Sequence, residues 1–170
     1  TILLFTSAGN YLHIPVHTIP DLKWKDMPKH VSNLIELAQD ETVVSALPAY
    51  NFDSNSNVII ATRNGMIKRS KLKDFKLQRY SKATSCIKLK DDDAVISAFI
   101  EKQNYLFLTT DSGYGLSFKT DEVPLVGVKA AGVKAIKLKD DNLISINNYD
   151  PSTDEYISVI TDKSTGKRVR

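Results

Sequence analysis

The side chains of this 170-residue sequence that could carry chemistry fall into a few small groups. His13, His17 and His30 all lie near the start. His13 and His17 are four apart, a spacing that holds a metal on a helix, but here the pattern is strand and loop. No second cysteine or acid accompanies them at zinc spacing. The single cysteine, Cys86, rules out an intrachain disulfide and fits a reducing compartment. In its alternating segment it reads as a small core residue. Asp91, Asp92 and Asp93 could hold a hard cation in principle. The acids recur at Asp140 and Asp141 in a matching turn, and Asp bonds its own backbone in turns, so a structural role is the expectation. Gly166-Lys167 lacks the rest of a phosphate loop. No serine has the strand-turn-helix setting of a nucleophile elbow. No catalytic residues, bound cofactor or metal are expected in this chain.

The cations are organised differently. Net charge is only +3, yet residues 1–62 carry 3 Lys/Arg against 6 acids, and residues 63–90 carry 10 against Asp74 alone. The remaining 80 residues carry 10 against 13. A basic block in a near-neutral chain suits a polyanion, although a solvated lysine-rich face gives the same count. Phosphate-backbone binding needs only positive charge along a surface, with no base-reading element. The candidates are Arg63, Lys68, Arg69, Lys71, Lys73, Lys76, Arg79 and Lys82. Lys119, Lys129 and Lys134 continue the series, as do Lys163, Lys167 and Arg168. Lys88, Lys90, Lys137 and Lys139 sit beside the acidic turns and read as structural surface charge. Trp24, Tyr80 and Tyr114 could stack on bases but are expected to pack in the core or between repeats.

These residues are carried by an internal repeat. An apolar strand, a threonine and a tight turn recur at Leu3 to Gly9, Ile59 to Gly65, Phe107 to Gly113 and Val159 to Ser164. Turn positions 9, 65, 113 and 164 are 56, 48 and 51 residues apart. Between them falls a second motif: alternation, an acidic turn, and a short apolar run ending in Ser. It reads Leu34 to Ser45, Ile87 to Ser97 and Ile136 to Ser145. Period two puts Ile87 and Leu89 on one face, with Lys88 and Lys90 on the other. Each repeat thus supplies about four strands: one before the turn, one after it (Met66 to Ser70), the Ile-Lys-Leu segment, and the Val-Ile-Ser segment. Residues 29–40 read as strand by alignment with the other copies. Four strands per 40–50 residues is the mark of a propeller-like array whose sheets stack on their neighbours. The expected units are 1–56, 57–104, 105–155 and a partial 156–170. The first residues look like a strand already under way, so the chain reads as part of something longer. No apolar run is long enough to cross a membrane as a helix, and no signal peptide is visible.

The combination Thr-x-x-Gly followed by Ile87-Lys-Leu-Lys-Asp-Asp-Asp-Ala-Val-Ile-Ser97 resembles the C-terminal domain of the A subunit of bacterial type IIA topoisomerases, gyrase and topoisomerase IV. Gly127 to Leu138 carries the likeness furthest, and it extends over essentially the whole chain. The first crossover, Asp21 to Ile35, resembles topoisomerase IV of Gram-positive bacteria more than gyrase. The resemblance implies an all-β fold, a β-pinwheel in which adjacent blades exchange strands, with three full blades and part of a fourth. It implies a non-catalytic domain that binds and bends double-stranded DNA, beside the catalytic core of the parent A subunit and the ATPase B subunit. ATP and Mg would be bound elsewhere in the holoenzyme. The cleaving tyrosine of that family lies in a separate region, so none of the seven tyrosines here is assigned its role. A cytoplasmic, nucleoid-associated, monomeric domain is the expectation. The alternatives are a gyrase-type wrapping domain and, from another class, a propeller that docks proteins.

Overall fold

A computed structural model describes residues 1–27, 37–38, 40–77, 82–90, 92–153 and 156–169. Among them the regular structure is strand and 3-10 turn only. Most of the segment expected as a strand at 29–40 lies outside the described residues.

Each hairpin starts from the Thr-x-x-Gly turn. β1 (Ile2–Thr6) and β2 (Asn10–Ile14) meet there, as do β4 (Asn57–Thr62) and β5 (Met66–Lys71), β8 (Tyr105–Thr110) and β9 (Gly115–Lys119), and β12 (Ile157–Ile160) and β13 (Gly166–Val169). The threonine holds the turn twice. Its carbonyl accepts the turn N–H, from Gly9, Gly65, Gly113 and Ser164 at 3.0–3.1 Å. Its hydroxyl accepts the N–H of the residue four on, at Asn10, Met66, Tyr114 and Thr165. Ser164 adopts the left-handed φ of +59° that glycine takes in the other three turns.

β3 (Val43–Pro48), β7 (Val95–Ile100) and β11 (Leu143–Tyr149) each pair antiparallel with the first strand of their own hairpin. They also pack on one another, β3 on β7 and β7 on β11, so they form the inner side of the array. The outer strand of each of the first two blades comes from the following unit. β6 (Thr84–Ser85) pairs with β2, and β10 (Val133–Lys134) pairs with β5. The sheet orders are therefore β3-β1-β2-β6, β10-β5-β4-β7, β11-β8-β9 and β12-β13. This is the strand exchange of a pinwheel. It corrects one expectation: the third strand of a unit is the two-residue segment before Ile-Lys-Leu, and it serves the neighbouring blade. Ile87 and Leu89 instead cover the preceding turn, where a methyl added to Gly9 would lie 3.1 Å from each. Ile136 lies against Gly65 in the same way.

Because each blade has two apolar faces, the cores lie between blades. One cluster joins Leu3, Phe5 and Tyr11 to Val58, Ile60, Phe75 and Cys86. The next joins Ile59 and Ile67 to Leu106, Leu108 and Leu143. A 3-10 turn closes each of the first three hairpins at the end opposite the Thr-x-x-Gly turn: Val16–Thr18, Leu72–Phe75 and Thr120–Glu122. In the second unit this turn drives Phe75 into the first blade, edge-on to Phe5 at 5.7 Å and to Tyr11 at 5.1 Å.

Phe75 also offers its carbonyl to His13 Nε2 at 2.7 Å, and the His13 ring stacks on Phe52 at 5.3 Å. Burial pushes the His13 imidazole below its usual range, and the hydrogen bond with the Phe75 carbonyl opposes this. A folded-state value below the unfolded one makes the unfolded chain the stronger proton binder. Stability is therefore complete above about pH 6.5 and is lost as the pH falls from there through the folded value. Urea midpoints should drop between pH 7.5 and 5.5, and His13→Gln should flatten that dependence. An equally steep profile in the variant would place the proton elsewhere.

Candidate nucleic-acid interface

The expected cations separate into surface groups and structural ones. Lys71, Lys73, Lys76 and Lys82 are exposed around the 3-10 end of the second blade and the crossover that leaves it. Lys119, Lys129 and Lys134 are exposed in the third unit, and Lys163, Lys167 and Arg168 on the last hairpin. Arg168 sits over the Tyr156 ring at 4.5 Å. Arg63 is exposed beside the second turn, where its guanidinium donates to the Asp92 carbonyl. Arg79 lies outside the described residues.

Lys68 and Arg69 are used internally. Alternation along β5 turns Lys68 toward the first blade, where the crossover of the third unit covers it. The side chain is fully buried. Its ammonium donates to the carbonyls of Gly127 and Val128, which anchors that crossover to β5. Burial pushes its pKa down to about 8, with the nearby Cys86 thiol opposing slightly. Arg69 donates to the Val123 carbonyl at 2.8 Å and to the Asp121 carbonyl, and pairs with Glu101 at 3.0 Å. Lys68 therefore cannot meet a phosphate in this fold, and its assignment as a contact is withdrawn. Arg69 is half-buried with its donors engaged, so it is withdrawn as well.

Glu101 to Arg69 is the ion pair among the described residues. The exposed lysines are thus left without acidic partners there, and a row of uncompensated ammonium groups attracts a polyanion. The acids near the repeat turns have other work. Asp93 accepts the N–H of Asn64 at 2.9 Å and of Ala94 at 2.8 Å. Asp141 accepts those of Ser112 at 3.1 Å and Asn142 at 2.8 Å. A hydrogen bond from Thr110, then those backbone donors, holds the Asp141 carboxyl below its usual range. Glu41 plays the same part in the first unit toward Thr6 and Asn10. These carboxylates tie β3, β7 and β11 to their hairpin turns, as the structural reading of the acidic tetrads expected. Asp92 and Asp140 take the left-handed conformation, with φ of +63° and +51°.

Cys86 is fully buried, and burial pushes its thiol up to about 12, against the effect of Lys68. It stays protonated near neutral pH and is a poor nucleophile. Trp24 and Tyr114 correct another expectation: both are exposed rather than packed between blades. Tyr80 lies outside the described residues.

An all-β array of strand-exchanging blades with inter-blade cores is a propeller-type architecture. The family model for the DNA gyrase C-terminal domain, beta-propeller, matches residues 1–49, 56–100 and 104–147, and the chain belongs to that family. It is 41% identical over 169 residues to the DNA topoisomerase 4 A subunit of Bacillus subtilis and 35% identical over 170 residues to that of Staphylococcus epidermidis. In each case 99% of this chain is covered but only 21% of the relative. Among solved structures, the C-terminal domain of DNA topoisomerase IV superposes with a TM-score of 0.93 at 44% identity, covering 99% of this chain and 53% of that one. The gyrase A C-terminal domain superposes at 0.75 with 24% identity over 98% of this chain and 53% of that one, a likeness of fold.

Proposed function

We propose that this domain binds duplex DNA along its exposed cations and bends it, as the non-catalytic DNA-holding part of a topoisomerase IV A subunit. The observation that carries this reading is the segregation of charge. Lys71, Lys73 and Lys76 are exposed at the 3-10 end of the second blade and Lys82 in the crossover that leaves it, all outside the described ion pair, and Asp74 is the only acid between residues 63 and 90. In the parent enzyme the domain would present duplex segments for ATP-dependent strand passage, with decatenation or relaxation as the outcome. ATP, Mg and the cleaving tyrosine would belong to the catalytic core and the ATPase B subunit. A bacterial cytoplasm and association with the nucleoid follow from that role. No helix among the described residues is long and apolar enough to cross a membrane. The topoisomerase IV relatives favour that enzyme over gyrase as the parent.

A second surface supports contact with protein. Leu22, Trp24 and Met27 are exposed in the first-unit crossover, outside the basic block of residues 63–90. This is where the domain would meet the rest of its own enzyme.

Binding to a linear duplex should weaken steeply with salt, because each phosphate contact contributes about 0.9 to the slope of log affinity against log salt. Lys71→Glu, Lys73→Glu and Lys76→Glu together should lower that slope by about 3 with an unchanged thermal transition. A mobility-shift titration at two salt concentrations reads both. No shift of the unaltered domain at low salt, or a shift indifferent to salt, would sink the DNA reading.

A further inference from the structure

The lysines that sequence reasoning set aside as surface charge occupy a repeated place in the fold. Lys88 and Lys90 follow β6, and Lys137 and Lys139 follow β10. Each pair lies on a segment that joins two blades. In the first such segment, the Cys86 N–H bonds the Gly9 carbonyl of blade one at 2.8 Å, and Asp93 then bonds the Asn64 N–H of blade two. In the second, the Ala135 N–H bonds the Gly65 carbonyl at 2.8 Å, and Asp141 then bonds the Ser112 N–H of blade three. Ile87 and Leu89, or Ile136 and Leu138, turn inward onto the glycine turn. The alternation leaves the lysines outward, and all four are exposed. The neighbouring acids Asp93 and Asp141 face the hairpin amides, and neither forms an ion pair with these lysines. Asp92 and Asp140, in the left-handed turns, form none either, among the described residues.

We infer that Lys88, Lys90, Lys137 and Lys139 are phosphate contacts that hold the duplex where it crosses from one blade to the next. This rests on the DNA-binding reading and deepens it. The exposed cations of that reading, Lys71, Lys73 and Lys76, lie at the 3-10 end of blade two. The seam lysines lie at the opposite end, beside the hairpin turns. A six-residue strand such as β5 separates the two ends by about 20 Å. That exceeds the ~12 Å width of a major groove, so the two rows would reach phosphates at separate places along the duplex. Two rows rather than one fix the direction of the duplex across the blades, and the repeat of the pair at successive seams makes the path follow the curvature of the array. The first unit has Glu36 and Ala38 at the aligned sequence positions, so the pair is a property of the later units.

The test is lysine acetylation of the 170-residue chain, free and bound to a linear duplex at low salt, read residue by residue by mass spectrometry. Lys88, Lys90, Lys137 and Lys139 should each be protected several-fold in the complex. In parallel, the variant with all four changed to Gln should bind with a salt slope lower by about 3.6, and the variant with all four changed to Arg should restore it. A normal mobility shift with unprotected seam lysines would overturn this inference and leave the DNA reading intact. No shift of the unaltered chain would overturn both. Protection does not depend on the folding of any variant.

Discussion

Phe75→Ala should cost about 3–5 kcal/mol, the range for truncating a buried aromatic side chain. The site makes the upper part of that range the expected one. Phe75 is fully buried, edge-on to Phe5 and Tyr11, and its neighbours belong to another blade. Strands β1 and β2 are held by their own sheet and cannot collapse into the gap. The residue also orders the backbone carbonyl that receives His13. Repeat arrays are stabilised by nearest-neighbour interfaces, so the loss falls on one interface rather than on the whole array. The expected result is therefore uneven. In hydrogen exchange, amides of β1, β2 and β3 should lose protection strongly, while those of β8 and β9 should change little. Uniform loss over all blades would show that the array unfolds as one unit and that Phe75 is not a local lock.

This lock explains what the sequence could and could not disclose. The turns were legible because they depend on contacts within four residues: threonine carbonyl and hydroxyl both bond the turn that follows. The acidic turns were legible for the same reason, and Asp92 and Asp140 adopt the left-handed geometry expected of them. The exchange of strands was not legible from alternation, because period two reports which side chains share a face and says nothing of which sheet the strand joins. The resemblance supplied that expectation, while the alternation placed the exchanged strand two or three residues too late.

The candidate interface shows the same limit. Along Met66 to Lys71 the pattern sets Ile67 inward and Lys68 outward, as it would on a sheet with one wet face. The crossover of the third unit covers that second face, nearly sixty residues away in the chain, and Lys68 becomes an internal tether. Arg69 is withdrawn by Glu101, which is 32 residues away. Trp24 errs the other way: its size argued for packing, yet nothing among the described residues covers it. Charge density along the chain pointed to residues 63–90, but it could not separate ammonium groups that face solvent from those that brace the fold.

Gly132→Ala should be the most damaging single methyl in the chain, and comparison with Gly113→Ala isolates the reason. Both glycines have φ of +83°, where an alanine costs about 1–2 kcal/mol from backbone conformation alone. At Gly113 nothing lies within 4 Å of the added methyl, so that cost is all that is expected. At Gly132 the methyl would land on the Ile67 carbonyl oxygen and 3.0 Å from Lys68 Cβ. Those atoms belong to β5, which β10 approaches through the pairing of Val133 with Ile67. A rigid backbone atom cannot swing aside as a side chain can, so the donated strand would have to withdraw. Its withdrawal would strip β5 of its outer partner and draw the Gly127 and Val128 carbonyls away from the buried Lys68 ammonium. An unpaired buried charge adds a penalty of several kcal/mol. Gly132→Ala should therefore lose about 3 kcal/mol or more in urea unfolding, against about 1–2 for Gly113→Ala. The variant should also expose Cys86, now buried in the core cluster that Val128 of the same crossover packs against, to a thiol reagent at neutral pH. Equal losses for the two substitutions would mean that the crossover of the third unit sits loosely on β5 and that the exchange of strands contributes little to holding the blades together.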